Sequence, residues 1–185
     1  MRGMQEPDAE WLDRIEGVWA ADDTLDADEL VARIDALAAE LPADHPRGLF
    51  ERGGARDSTG DEEGAAEFYA RAARGPLDPE IAAQLAVQYG STLRNLGRLD
   101  ESLAVLDAAL AAVRTEGDPH HYADALAAFR ALTLHDLGRP AEALAVALRA
   151  LTPHLPRYHR SLSAYADALS PSSAGDVSAA ASRAC

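Results

Sequence analysis

LGRLDESLAVLDAAL (Leu96–Leu110) lies over LGRPAEALAVALRAL (Leu137–Leu151) at an offset of 41 residues, and nine of the fifteen positions agree. Leu96/Leu137, Gly97/Gly138, Arg98/Arg139, Glu101/Glu142 and Leu103/Leu144 are among them. Only three of the nine are Ala or Gly, so the agreement is more than the chance overlap of an alanine-rich chain. Upstream, Leu85, Gly90 and Leu93 meet Leu126, Ala131 and Leu134 at the same offset. A third, weaker copy lies earlier: Gly60 precedes Ala65, Tyr69 and Ala72 by the intervals that separate Gly97 from Ser102, Leu106 and Ala109. Self-similarity at such a period is the mark of a stacked array of supersecondary units.

Each copy reads as helix, glycine turn, helix. Leu85, Tyr89, Leu93 and Leu96 share one face of the first helix of the middle copy. Leu103, Leu106, Leu110 and Val113 do so in the second, at the three-and-four spacing of an amphipathic helix. One such hairpin cannot bury its apolar stripe alone, so copies stack and share a continuous core. Two glycines interrupt this pattern, each at about 1 kcal/mol relative to Ala. Gly97 is read as the left-handed residue that ends one helix and starts the turn. Gly90, with Gly53 and Ala131 in its place in the other copies, is read as a point of close helix approach.

These residues carry a resemblance. A small residue midway through the first helix, Gly at the turn, then Ala, a large residue four later and a further Ala resembles the tetratricopeptide repeat. The pattern is met at Gly53, Gly60, Ala65, Tyr69 and Ala72, at Gly90, Gly97, Leu106 and Ala109, and at Ala131, Gly138, Ala143 and Ala150. STLRNLGRLDESLAVLDAAL is similar to the bacterial tetratricopeptide repeat group 5. The resemblance covers residues 45–152 and implies an all-α, right-handed α-solenoid of about three hairpins (45–78, 79–117 and 119–152). The copies are spaced by 37 and 41 residues rather than the usual 34, which calls for longer helices or a longer RTEGDPHHY connection (Arg114–Tyr122). Arg52 and Arg56 stand at apolar consensus positions, a sign of degeneracy in the first copy, and Ala147 stands where a large residue is expected.

The flanks read as caps. Leu30, Ile34, Leu37 and Leu41 make a stripe beginning after Asp26 or Asp28, and Trp11, Ile15 and Trp19 make a shorter one, so residues 1–44 are expected to form acidic capping helices. Leu155, Tyr158, Leu162, Tyr165 and Leu169 suit a closing helix over 153–169. SPSSAGDVSAAASRAC (170–185) has almost nothing large to bury and is expected to be disordered.

Composition narrows function. The chain of 185 residues is 48 % apolar and 26 % charged with a net charge of −14, and thirteen Asp and Glu against three Arg fall in residues 1–45. An acidic surface repels phosphate backbones and anionic headgroups, so neither nucleic acid nor membrane is an expected partner. No leader or membrane span is seen, and Cys185 is the only cysteine, which excludes disulfide frameworks. A cytoplasmic location is the expectation.

The resemblance implies a protein or peptide partner on the concave face formed by the first helices. By offset from the turn glycines, that face carries Arg47, Phe50, Gly54, Asp57 and Ser58, then Gln84, Val87, Ser91, Arg94 and Asn95, then Leu132, His135 and Asp136. Arg94 with Asn95 offers a guanidinium fork and an amide for a carboxylate or a peptide backbone. The plainer alternative is that Asn95 bonds the turn and Arg94 pairs with an acid such as Asp100. His120, His121, Asp124 and His135 raise a metal-dependent enzyme as a further alternative, but no recognised ligand spacing is completed, and no metal or cofactor is expected. There is no P-loop, G-x-G-x-x-G or G-x-S-x-G, and Asp61–Glu63 suit a helix start. The expected function is a non-enzymatic interaction module or scaffold. Self-association through exposed Trp11 and Trp19 or an uncapped end is the structural alternative.

Overall fold

Three turns of one geometry set the frame. Gly60, Gly97 and Gly138 have φ of 86°, 73° and 73°, the left-handed region that a residue without Cβ enters freely. At Gly97 the N–H donates to the Arg94 carbonyl at 3.0 Å, and the Arg98 N–H reaches the Leu93 carbonyl at 2.8 Å. That pair of bonds satisfies the last carbonyls of one helix and aims the chain into the next. It recurs at Gly138 with His135 and Leu134, and at Gly60 with Asp57 and Arg56. Past two of the turns an Arg and a Glu three residues apart close on each other, Arg98 Nε to Glu101 Oε1 at 2.8 Å and Arg139 Nε to Glu142 Oε1 at 2.6 Å. The glycine, arginine and glutamate shared by the two copies are therefore one local device.

The computed structural model describes residues 7–118 and 121–169; the expected tail at 170–185 and His120 lie outside them. Among the described residues the fold is all-helical, with nine α-helices: α1 Ala9–Trp19, α2 Ala27–Ala38, α3 Pro46–Ser58, α4 Glu62–Ala72, α5 Pro79–Asn95, α6 Leu99–Glu116, α7 Ala123–Asp136, α8 Pro140–Leu151 and α9 His159–Leu169. Each packs on its successor; in addition α3 touches α5, and α5 touches α7. This is the arrangement of a helical repeat solenoid, with the first helix of each hairpin in one layer. The lengthened spacing goes into α5 and α6, of 17 and 18 residues, against 13 and 11 for α3 and α4.

Gly90 is the close approach its position implies: a Cβ there would lie 2.8 Å from Leu106 Cγ. Leu106 has no exposed surface and packs near Ala86 and Leu126. In α8 the equivalent residue Ala147 is exposed, so the last hairpin lacks the buried large side chain of the middle one. A buried hydroxyl pair ties these hairpins together. Ser102 donates to the Gly90 carbonyl at 2.7 Å and sits 2.9 Å from the Thr133 hydroxyl.

The N-terminal hairpin α1–α2 stacks on α3 ahead of the repeats. Asp26, not Asp28, caps α2, its carboxylate accepting from the Glu29 N–H at 2.8 Å. Trp11, Ile15, Leu30, Ile34 and Ala55 form one buried cluster, each large aliphatic worth about 1.5–3 kcal/mol when fully buried. Trp11 is 3 % exposed and its indole donates to the Leu37 carbonyl at 2.9 Å. Trp19 donates to Glu51 at 2.7 Å. Trp11 is therefore not the exposed residue that self-association through it required, a correction that follows from α1 packing inward, whereas Trp19 stays partly exposed. Arg52 and Arg56 likewise have a task. Arg56 holds Asp35 of α2 with both nitrogens, at 3.1 and 2.9 Å, and its guanidinium carbon lies 4.5 Å from the centre of the Phe68 ring.

At the other end the expected stripe is only partly used. Leu162, Ala166 and Leu169 are the less exposed residues of α9, while Tyr158 and Tyr165 are 66 % and 65 % exposed. Tyr158 sits at φ 75° immediately before the helix, so the helical register starts later than the spacing implied. Among the described residues no helix is long and apolar enough to cross a membrane.

Candidate functional site

Side chains from four helices, α1, α3, α4 and α5, converge on an open cleft of about 610 Å³. Successive residues one helical turn apart on α3 (Arg47, Glu51) and on α5 (Gln84, Gln88) point the same way, which is why one face of each helix supplies the lining. Ile15, Glu16 and Trp19 of α1 close one end, and Phe50 and Tyr69 contribute aromatic wall. Phe50 is nearly inaccessible, its ring 6.3 Å from that of Tyr69.

Inside the cleft the polar groups are arranged in short chains. Arg47 Nε meets Glu51 Oε1 at 2.6 Å, and the other oxygen of Glu51 takes the Trp19 indole N–H, so this buried carboxylate is satisfied on both sides. Asp57 accepts from the Thr92 hydroxyl at 2.9 Å. Burial raises the Asp57 carboxyl above the usual carboxylate range, the Thr92 bond opposes that, and nearby Glu62 adds to the rise. Tyr69 donates to Gln88 Oε1 at 3.1 Å, and its phenol is pushed up by burial and by the Asp57 charge. Asn95 Nδ2 donates to Glu62 Oε1 at 3.1 Å, from α5 back to α4.

Of the residues placed on this face by sequence, Arg47, Phe50, Gln84, Ser91 and Asn95 line the cleft together, as do Gly54, Asp57 and Ser58. Val87 does not; it packs beside Ala86, Leu106 and Leu126. Arg94 is engaged by Asp136 at 2.6 Å, a tie from α5 to α7; it pairs with an acid as the plainer alternative supposed, although with Asp136 rather than Asp100, while Asn95 bonds Glu62 rather than the turn. Leu132, 45 % exposed, and His135 lie on α7 beyond the cleft. The residues that sequence reasoning missed are those of α1 together with Glu51, Gln88, Glu62 and Tyr69. Stepping four residues on from Arg47 and Gln84 would have found Glu51 and Gln88; no local signal marks the α1 contribution.

The histidines among the described residues do not converge on a metal centre. Asp124 pairs with His154 at 2.7 Å, and among the described residues no group of three His, Cys, Asp or Glu is placed to hold a metal ion. Asp118 caps α7, accepting from the N–H groups of Tyr122 and Ala123 at 2.8 and 2.9 Å, and Asp61 caps α4 through the Gly64 N–H.

The family model described as Tetratrico peptide repeat, in its group 5 form, matches residues 46–169. A comparison with curated proteins gives no match. Repeats of this kind generally serve as non-catalytic modules of protein–protein interaction.

Proposed function

Since the chain belongs to the tetratricopeptide repeat family, we propose that it is a non-enzymatic interaction module that holds a segment of a partner protein, or a peptide, on the face formed by the first helices. The cleft between α1, α3 and α5 supports this reading most: it is open, of side-chain to short-peptide size, and lined by amides and a hydroxyl (Gln84, Gln88, Asn95, Ser91) that can bond a partner backbone. Leu132 and His135 extend the face toward α7. Arg47, Arg94 and Asn95 act on it through their ion pairs and hydrogen bonds rather than as free clamps. The division into a cap over 1–44, repeats over 45–152 and a closing helix over 153–169 belongs to the same proposal.

The test is a photo-crosslinking residue at Ser91, in the cleft, against the same residue at exposed Ala104 on α6. Adducts from Ser91 and not from Ala104 are expected in native extract. Adducts from Ala104 alone would move recognition off the cleft. A second reading, self-association, is favoured by one observation: among the described residues the exposed large apolar ones, Leu132, Leu144, Leu151, Tyr158 and Tyr165, all belong to the C-terminal part. Light scattering of the full chain decides it, and a strict monomer at high concentration removes it.

A further inference from the structure

We infer that the cleft between α1, α3 and α5 selects a cationic side chain, an arginine or lysine carried by the partner segment. This rests on the cleft being the binding surface, and it adds the chemical class of the group it takes. Four carboxylates and one guanidinium line the cleft. Arg47 and Glu51 neutralise each other, and both Glu51 oxygens are occupied. That leaves Glu16, Asp57 and Glu62. Asp57 and Glu62 are held by neutral donors, Thr92 and Asn95, and Glu16 is exposed with no ion pair among the described residues.

The nearby cations are committed elsewhere: Arg56 to Asp35, Arg94 to Asp136, Arg98 to Glu101. Asp57 and Glu62 are thus half-buried in the cleft, with Glu16 exposed beside them, and among the described residues no cation is paired with any of the three; like charges so placed disfavour one another. Burial and Glu62 together disfavour the Asp57 charge, which an incoming cation would relieve. Low-dielectric walls from Trp19, Phe50 and Tyr69 focus the field into the opening. Partly exposed Trp19 at the rim offers a ring to a guanidinium or ammonium group. An anionic segment meets the opposite conditions throughout.

The test is a titration of isotope-labelled full-length protein with acetyl-Ala-Ala-Arg-Ala-Ala-amide and with its Gln and Glu counterparts. The two tryptophans give an internal control: the Trp19 indole is in the cleft, whereas that of Trp11 is sealed against Leu37. The arginine peptide is expected to move the Trp19 indole and Asn95 amide signals saturably, with Trp11 unmoved. Asp57→Asn with Glu62→Gln is expected to weaken it by roughly tenfold or more. Should that pair fail to fold by circular dichroism, Glu16→Gln with Glu62→Gln replaces it, with a smaller loss in the same direction. Equal binding of the Arg and Gln peptides, no saturable shift at millimolar peptide, or wild-type affinity in a folded variant overturns the inference. A partner crosslinked at Ser91 whose bound segment carries no Arg or Lys overturns the charge selection alone, whereas no crosslink at Ser91 removes the binding surface on which both readings stand.

Discussion

Replacing Gly90 by Ala sets two effects of opposite sign against each other. In an exposed helix interior the change stabilises by about 1 kcal/mol, because Ala loses less backbone freedom on folding. At Gly90 the new methyl would sit 2.8 Å from Leu106 Cγ and 2.9 Å from its Cδ2. Leu106 has no exposed surface into which to turn, so α5 and α6 must separate or the side chain must leave its rotamer, at about 1–3 kcal/mol. The expected net is a loss of roughly 0–2 kcal/mol, hence up to several degrees in the melting midpoint of a chain this size. Gly17→Ala is the control, since nothing lies within 4 Å of its Cβ position, and it is expected to gain. The decisive measurement is a double-mutant cycle by denaturant unfolding. Leu106→Ala alone is expected to lose about 2–5 kcal/mol, and combined with Gly90→Ala it is expected to lose less than the sum by 1–3 kcal/mol, because the methyl enters the space vacated. Gly90→Ala as stabilising as Gly17→Ala, or an additive cycle, would refute the close-approach reading.

Ser102→Ala gives the residue type found at Ala65 and Ala143 but removes the bond to the Gly90 carbonyl and leaves the Thr133 hydroxyl with the Phe129 carbonyl alone; a loss of about 1 kcal/mol is expected, read as faster amide exchange in α6 and α7. Asp57 gives a pH dependence of defined sign. Its folded-state pKa is raised by burial, so folding binds its proton more tightly, and its contribution to stability is lost as pH rises from the usual carboxylate value through the raised one. The difference in melting midpoint between wild type and Asp57→Asn should therefore shift against wild type over that interval, and parallel profiles would contradict it. Glu142 runs the other way: the Arg139 hydrogen bond lowers its pKa, so Glu142→Gln should remove stability that wild type has at neutral pH and loses as pH falls through the lowered value. Arg56→Ala, which breaks the two-pronged contact to Asp35, is expected to lower the unfolding midpoint seen by tryptophan fluorescence more than that seen by circular dichroism, because Trp11 and Trp19 both report on α1.

The turns and the stacking were legible because they depend on local properties. A residue that must adopt positive φ, or that must lack a Cβ, declares itself as glycine at a fixed offset, and the three turns and Gly90 were all found this way. Helix faces were legible where the helix began at a recognisable cap, as with Asp26 and α2. They were misread in α9, where a left-handed Tyr158 shifts the start and leaves two tyrosines in solvent. The larger gap concerned pairing across elements. Arg56 with Asp35, Trp19 with Glu51 and Arg94 with Asp136 join residues 21, 32 and 42 positions apart, and periodicity along one helix carries no record of such partners. For that reason Arg52 and Arg56 read as degeneracy, and the acid expected to pair with Arg94 was sought at Asp100 rather than at Asp136.

The junctions between hairpins differ in chemistry, and the position of the cleft makes that difference matter. Stability in a solenoid is close to a sum of unit and nearest-neighbour terms. The junction between α6 and α7 rests on buried contacts, Ser102 with Thr133 and Leu106 in one cluster with Leu126. The α2–α3 junction has a buried cluster too, Leu30 and Ile34 with Ala55, but adds the ion pairs of Arg52 and Arg56 with Asp35, which are partly exposed and hence open to screening by salt. Added salt should loosen the N-terminal hairpin before it loosens α5 and α6. The cleft spans that salt-sensitive junction, taking walls from α1 on one side and from α3, α4 and α5 on the other. A segment seated there touches both sides at once, so its binding energy adds directly to the term that salt removes, by RT ln(1 + [L]/Kd) at free concentration [L]. Occupancy should therefore raise the tryptophan-detected midpoint most where salt has lowered it by screening Arg56 and Asp35, even though the same salt weakens attraction for a cationic ligand. An α1 that melts together with the repeats at every salt concentration, with or without ligand, would show that the junction is not the salt-sensitive one and that the cleft gains nothing from spanning it.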